Sequence, residues 1–206
     1  MKKIKITNII FDIGNTLVYY DHNIFFDGVA RVEKTFNVNN FRDYIKSNKL
    51  DLKLSTSKIT QGKVYNLLKK EFDIKTNYSD FISIHNDIFW ENTNMKEFLS
   101  KISNDERFEL FMLSNTDSEH MKFLNKNFPY INVIKKRILS FKVKMLKPDR
   151  RIFQYTIKKY KLLPKETLFI DDLKENVISA ENLGINTIRY TAHDSFLKQF
   201  NKIISQ

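Results

Sequence analysis

KITNIIFDIGNTLV, residues 5–18, is the stretch that decides the fold. Ile6, Ile9, Ile10 and Phe11 form a short apolar run that stops at Asp12. A run without polar alternation fits a strand buried on both faces, as in a parallel sheet. Gly14 and Asn15 then turn the chain. A carboxylate at the carboxyl end of a central strand sits where open α/β sheets bind their ligands. The same residue could instead close an ordinary turn.

Outward from this stretch the pattern changes to helix. Asn23 to Trp90 carries helical spacing and no strong strand: Ile24, Phe25, Val29 and Val32; Phe41, Tyr44 and Ile45; Val64, Leu67, Leu68 and Phe72 behind Thr60 as N-cap; and Phe81, Ile84, Ile88 and Phe89. Met95, Phe98, Leu99 and Ile102 predict a helix returning to the core. Strands are expected at 108–113, 167–170 and 185–190, with short extended pieces at 131–134 and 138–143. Helices are expected around Met121–Leu124, 149–160, 175–183 (with Gly184 at C′) and Phe196–Ile204. Strands alternating with helices imply a parallel sheet with right-handed crossovers.

Three later stretches repeat the theme of the first. Phe111-Met112-Leu113 ends in Ser114 and Asn115. Lys147-Pro148-Asp149 precedes a helical pattern. Leu168-Phe169-Ile170 ends in Asp171-Asp172, with Asn176 following. The order Asp, Ser, Lys-Pro, Asp-Asp resembles the four motifs of the haloacid dehalogenase-like hydrolase superfamily, from about Ile4 to about Tyr190. Each motif is weak alone; four in order are strong. The resemblance implies an α/β fold with a Rossmann-like parallel sheet core (1–20 and 92–206) and an inserted helical cap (21–91). It also implies a Mg²⁺-dependent phosphatase working through an aspartyl-phosphate.

On that resemblance each motif residue has an expected role. Asp12 would be the nucleophile. Asp12, the backbone carbonyl of Gly14 and Asp172 would hold Mg²⁺, a hard cation suited to oxygen ligands. Asp171 would assist from behind, and Asn176 would orient the last loop. Ser114 and Asn115 would hydrogen-bond phosphoryl oxygens, and Lys147 would neutralise nucleophile and phosphate together. Blander readings are a helix-terminal acidic pair at 171–172, a turn or cap at 114–115 and a surface lysine at 147.

The chain departs from the family pattern at two positions. Phosphatases usually carry a second acid two residues after the nucleophile, to protonate the leaving oxygen; here that residue is Gly14. The motif FDIGNTL resembles a subgroup that includes sugar-1-phosphate phosphatases with the same glycine. Esters with less basic leaving groups are therefore expected to be favoured, and Gly14→Asp would help only if the backbone there is not one restricted to glycine. At Lys144, relatives often carry Gly. Haloacid dehalogenases also lack the second acid but need no Mg²⁺ and usually lack the paired carboxylates, so Asp171-Asp172 favours phosphate.

Composition narrows the partners. The chain has 206 residues, 18 Phe and no Cys, which allows a real core and rules out disulfides and thiolate sites. Its 35 Lys+Arg against 24 Asp+Glu give a net charge of +11. The lysines are dispersed, without a basic block, so a solvated surface that attracts anionic substrates is preferred to a nucleic-acid site. The N-terminal apolar run is too short for a signal peptide or a membrane span. The expectation is a cytoplasmic monomer or homodimer acting on a small phosphorylated substrate such as a hexose phosphate, without membrane or nucleic acid. The alternatives are a 2-haloacid dehalogenase, or a binding protein that keeps the fold and has lost turnover.

Overall fold

The computed structural model of the protein describes residues 5–33 and 37–205. Residues 1–4, including Ile4 where the resemblance begins, lie outside them. Strands β1 (Asn8–Phe11) and β2 (Val18–Tyr20) are followed by five helices: α1 (His22–Val32), α2 (Val38–Ser47), α3 (Leu50–Ser55), α4 (Gln61–Phe72) and α5 (Tyr78–Asn86). The chain returns through β3 (Phe89–Glu91) and α6 (Thr93–Ile102). It then runs through β4 (Glu109–Ser114), α7 (Ser118–Asn127), β5 (Lys136–Leu139), α8 (Ser140–Val143) and α9 (Arg150–Tyr160). The last elements are β6 (Thr167–Asp171), α10 (Lys174–Glu181), β7 (Asn186–Arg189) and α11 (His193–Ile204).

Five strands form one sheet in the order β5-β4-β1-β6-β7, every pair parallel. The expected α/β class is observed, and β1 is the central strand. Its unbroken apolar run follows from burial on both faces. Ile9 and Phe11 enter one cluster with Phe98, Met112, Ile170 and Phe196. Ile10 enters the opposite one with Phe111, Phe153 and Phe169. Each such side chain contributes about 1.5–3 kcal/mol by leaving water. The helices α1–α5 enclose a third cluster of their own, built on Phe25, Phe41, Leu68 and Phe81. Thr60 caps α4, its side chain accepting from Lys63 N–H at 3.3 Å.

Four local expectations are corrected. Residues 18–20, not expected as a strand, and 89–91, at the end of the expected helical pattern, pair antiparallel as β2 and β3. Tyr19 and Trp90 face each other across that pair, ring centroids 5.9 Å apart, a contact with no local sequence period. Residues Pro129–Val133 are a 3₁₀ helix, not an extended piece, with Pro129 at its start. Val143 ends the short helix α8, not a strand. Finally, α3 was not expected, and Val32 and Leu67 are exposed, so the buried stripes of α1 and α4 are narrower than their apolar spacing implied.

Candidate active site

The carboxyl ends of three adjacent strands deliver the polar groups. Asp12 directly follows β1, Ser114 ends β4 and Asp171 ends β6. The parallel register puts these ends side by side, with Phe11 opposite both Met112 and Ile170. Asp12 N–H donates to Ile170 O at 2.9 Å, which holds the nucleophile candidate to β6.

Lys147 reaches this edge from the loop before α9. Its ammonium lies 2.8 Å from Asp12 Oδ1 and 2.6 Å from Asp171 Oδ2, and its side chain is 1% exposed. The surface-lysine reading is therefore corrected: burial and two carboxylates hold it. Asn115 sets the loop. Its Nδ2 donates to Lys147 O at 2.8 Å, and its Oδ1 accepts from Lys147 N–H at 2.9 Å. The Asn115 side chain is thus a clamp on Lys147, and only its backbone remains for a ligand. Asp171 is saturated. Oδ1 accepts from Leu173 N–H and Asn176, and Oδ2 accepts from Lys147 and Asn176. Asn176 therefore ties α10 to the strand end.

One oxygen each from Asp12, Asp171 and Asp172 lies within 4.8 Å of the others. Three carboxylates share one ammonium, so the cluster carries excess negative charge when ionised. The electrostatics follow. Burial pushes the Asp12 carboxyl up to about 7; Lys147 opposes this and Asp171 adds to it. Burial likewise raises Asp172, with a further push from Asp171. Burial works against the Lys147 charge, but Asp12 and Asp171 outweigh it and hold its pKa above the ordinary value. An oxygen-only donor set with uncompensated charge fits a hard divalent cation. Because Asp171 is saturated, Asp12 and Asp172 are the side chains with oxygens to offer it.

Asp12, Ser114, Asn115, Lys147, Asp172 and Asn176 form one wall of a cavity of about 220 Å³, with Asp171 behind it. Its other wall was not read from the sequence. It includes Tyr20 at the end of β2, His22 at the start of α1, Asp51 on α3, His85 on α5, and Asp117 and His120 at the start of α7. His120 lies 3.0 Å from Asp117 Oδ2 through Nδ1 and 3.2 Å from His85 O through Nε2. His85 and His120 stack, centroids 4.1 Å apart at 11°. His85, Asp117 and His120 also bring ligand atoms within 4.8 Å of one another. Both His120 nitrogens have partners, and His85 Nδ1 has none among the described residues, so this wall offers a ligand hydrogen-bonding groups. Burial lowers the pKa of His22 and, more strongly, of His85. One signal was available: the chain has 4 His, and three of them line this cavity.

Comparison with known proteins agrees with this geometry. Residues 9–190 match the family "Haloacid dehalogenase-like hydrolase". The D-ribitol-5-phosphate phosphatase of Bacteroides thetaiotaomicron is 31% identical over 88 residues, 40% of this chain and 43% of that protein. Acyl-CoA dehydrogenase family member 10 of Mus musculus is 38% identical over 58 residues, 28% of this chain and 5% of that protein. The matches thus span less than half the length of these curated relatives. A crystal structure of an enzyme of the same family from Bacteroides thetaiotaomicron superposes with a TM-score of 0.85 at 25% identity, covering 95% of this chain and 98% of that one. The wild-type form in complex with magnesium and inorganic phosphate gives 0.78 at 26% identity, covering 91% and 95%.

Proposed function

This chain belongs to the haloacid dehalogenase-like hydrolase family, and from that premise we propose that it is a Mg²⁺-dependent phosphatase. It hydrolyses a small phosphorylated metabolite through an aspartyl-phosphate on Asp12. The observation that carries this reading is the buried Asp12–Lys147–Asp171 cluster beside Asp172, at the strand ends and open to a closed-in cavity.

Asp12, the carbonyl of Gly14 and Asp172 would hold the ion. Bound there, Mg²⁺ supplies the positive charge that lets an anionic nucleophile approach a phosphate dianion. The chain's own groups do the rest. Asp12 attacks phosphorus, and the bond to the leaving oxygen breaks. The Ser114 hydroxyl and the Asn115 N–H donate hydrogen bonds to the phosphoryl oxygens. Lys147, fixed by Asn115 and Asp171, keeps Asp12 ionised and aimed. Water then attacks the aspartyl-phosphate, releasing phosphate and restoring Asp12. The helical block 21–91 acts as a cap over the core formed by 1–20 and 92–206, and excludes bulk water.

The substrate class is a sugar or sugar-alcohol phosphate. The histidine and aspartate wall supports it, since hydroxyl groups both donate and accept. The similarity to a D-ribitol-5-phosphate phosphatase supports it too. No observation favours a dehalogenase: two structures named as dehalogenases are similar at 17% and 16% identity, a likeness of fold.

The test is Asp12→Asn, expected to lose at least about a thousandfold in turnover with the fold intact. Chelator should abolish wild-type activity, and 2-haloacids should release no halide. Near-normal turnover by folded Asp12→Asn would end the nucleophile assignment.

A further inference from the structure

We propose that the Tyr20 hydroxyl donates the hydrogen bond that the departing ester oxygen accepts, from the space that Gly14 leaves without a side chain. This rests on the phosphatase reading and says which group serves the leaving oxygen.

The argument begins at Gly14. Its backbone lies outside the left-handed region, where Gly184 is the one glycine found. The conformation therefore does not demand glycine; the space does. A Cβ on Gly14 would come within 2.5 Å of Tyr20 Cε1 and 3.0 Å of Cδ1. The phenol ring is packed directly over this residue, two positions after Asp12. An acid at position 14 and the ring of Tyr20 exclude each other.

The ring is held from several sides. Tyr20 ends β2 opposite Phe89, and its N–H donates to Asn15 Oδ1 at 3.3 Å. Its ring centroid is 5.0 Å from that of His22 and 6.1 Å from that of Phe89. It lines the same cavity as Asp12, Lys147 and Asp172. Among the described residues nothing takes a hydrogen bond from its hydroxyl. Two strong donors beside it are committed: Lys147 to Asp12 and Asp171, and the Asn115 amide to Lys147.

In the step concerned, a bond forms between a carboxylate oxygen of Asp12 and phosphorus, and the phosphorus–oxygen bond of the ester breaks. Its electron pair stays on the departing oxygen. The Tyr20 hydroxyl stabilises that charge by its hydrogen bond, and the oxygen takes its proton from solvent as the alcohol leaves. The contribution is largest for basic alkoxides and small for nitrophenolate, which delocalises its own charge.

The experiment is kcat/KM of wild type and Tyr20→Phe, in Mg²⁺, across alkyl and aryl phosphates of graded leaving-group basicity. Tyr20→Phe keeps the ring over Gly14, so a merely structural role for the ring would leave the dependence on leaving group unmoved. The expected result is a loss of about tenfold to a hundredfold on alkyl phosphates, a clearly smaller loss on 4-nitrophenyl phosphate, and a steeper dependence on leaving-group pKa. A second comparison guards against misfolding: Gly14→Asp added to Tyr20→Ala places an acid in the vacated space, and should recover alkyl-phosphate turnover relative to Tyr20→Ala alone. An unchanged slope in Tyr20→Phe, or a steepening in His22→Gln without one in Tyr20→Phe, overturns the proposal while the phosphatase reading stands. Folded wild type that turns over no phosphate ester overturns both, and is seen before any variant is made.

Discussion

At Lys147 one ammonium, almost fully buried, stands between Asp12 and Asp171. Replacing it by Met keeps the chain length but leaves buried carboxylates without a counter-charge, a change that typically costs about 3–5 kcal/mol. The cost depends on pH. Without the ammonium, the folded-state Asp12 carboxyl rises further above its unfolded value near 4. The folded form of the variant then holds more protons than the unfolded chain, so its stability falls as pH rises through and above that range. Urea unfolding in chelator should show a loss of about 3 kcal/mol at pH 8 and a smaller one at pH 5; a loss equal at both would contradict the arrangement. The charge partners of Lys147 were legible as strand-end acids. The Asn115 clamp was not, because residues 115 and 147 are joined only by the fold.

Element ends tell a similar story at a larger scale. Helix α8 stops at Lys144, which takes the left-handed conformation at φ 57°, its N–H donating to Ser140 O at 2.7 Å. This is a geometry in which glycine avoids a Cβ clash of about 1–2 kcal/mol. Lys144 is exposed, so nothing offsets the strain. Lys144→Gly should raise stability by about 0.5–1 kcal/mol, after glycine's greater unfolded-state entropy is subtracted. A shifted urea midpoint with unchanged slope would show it; a lower midpoint would mean the lysine makes a contribution that geometry does not reveal. Periodicity placed most helices because their buried stripes repeat within a few residues. It missed β2 and β3, whose three-residue strands gain their partners from the opposite ends of the helical block.

On the scale of the molecule, the cavity is lined by groups from the helical block and from the sheet, and His85 and His120 are its buried histidines. Burial first, then the neighbouring His120 and His22, hold the pKa of His85 well below 6.5. The unfolded chain titrates near 6.5. Below that pH it binds a proton that folded His85 refuses, so this contribution to stability is complete above about 6.5 and is lost as pH falls. Urea midpoints at pH 7.5 and 5.5 should therefore diverge in wild type and converge in His85→Gln; equal divergence in both would remove His85 as the cause. The sequence by itself determined the parallel sheet, the central place of β1 and the order of Asp12, Ser114, Lys147 and Asp171 along the chain. These are short-range facts: an apolar run on both faces of a strand, ended by a polar residue. Only the tertiary structure decided that Tyr20 fills the space at Gly14, that Asn115 holds Lys147, and that His22, His85 and His120 face the carboxylates across one cavity. Those contacts join elements far apart in the chain, and packing, not local periodicity, brings them together.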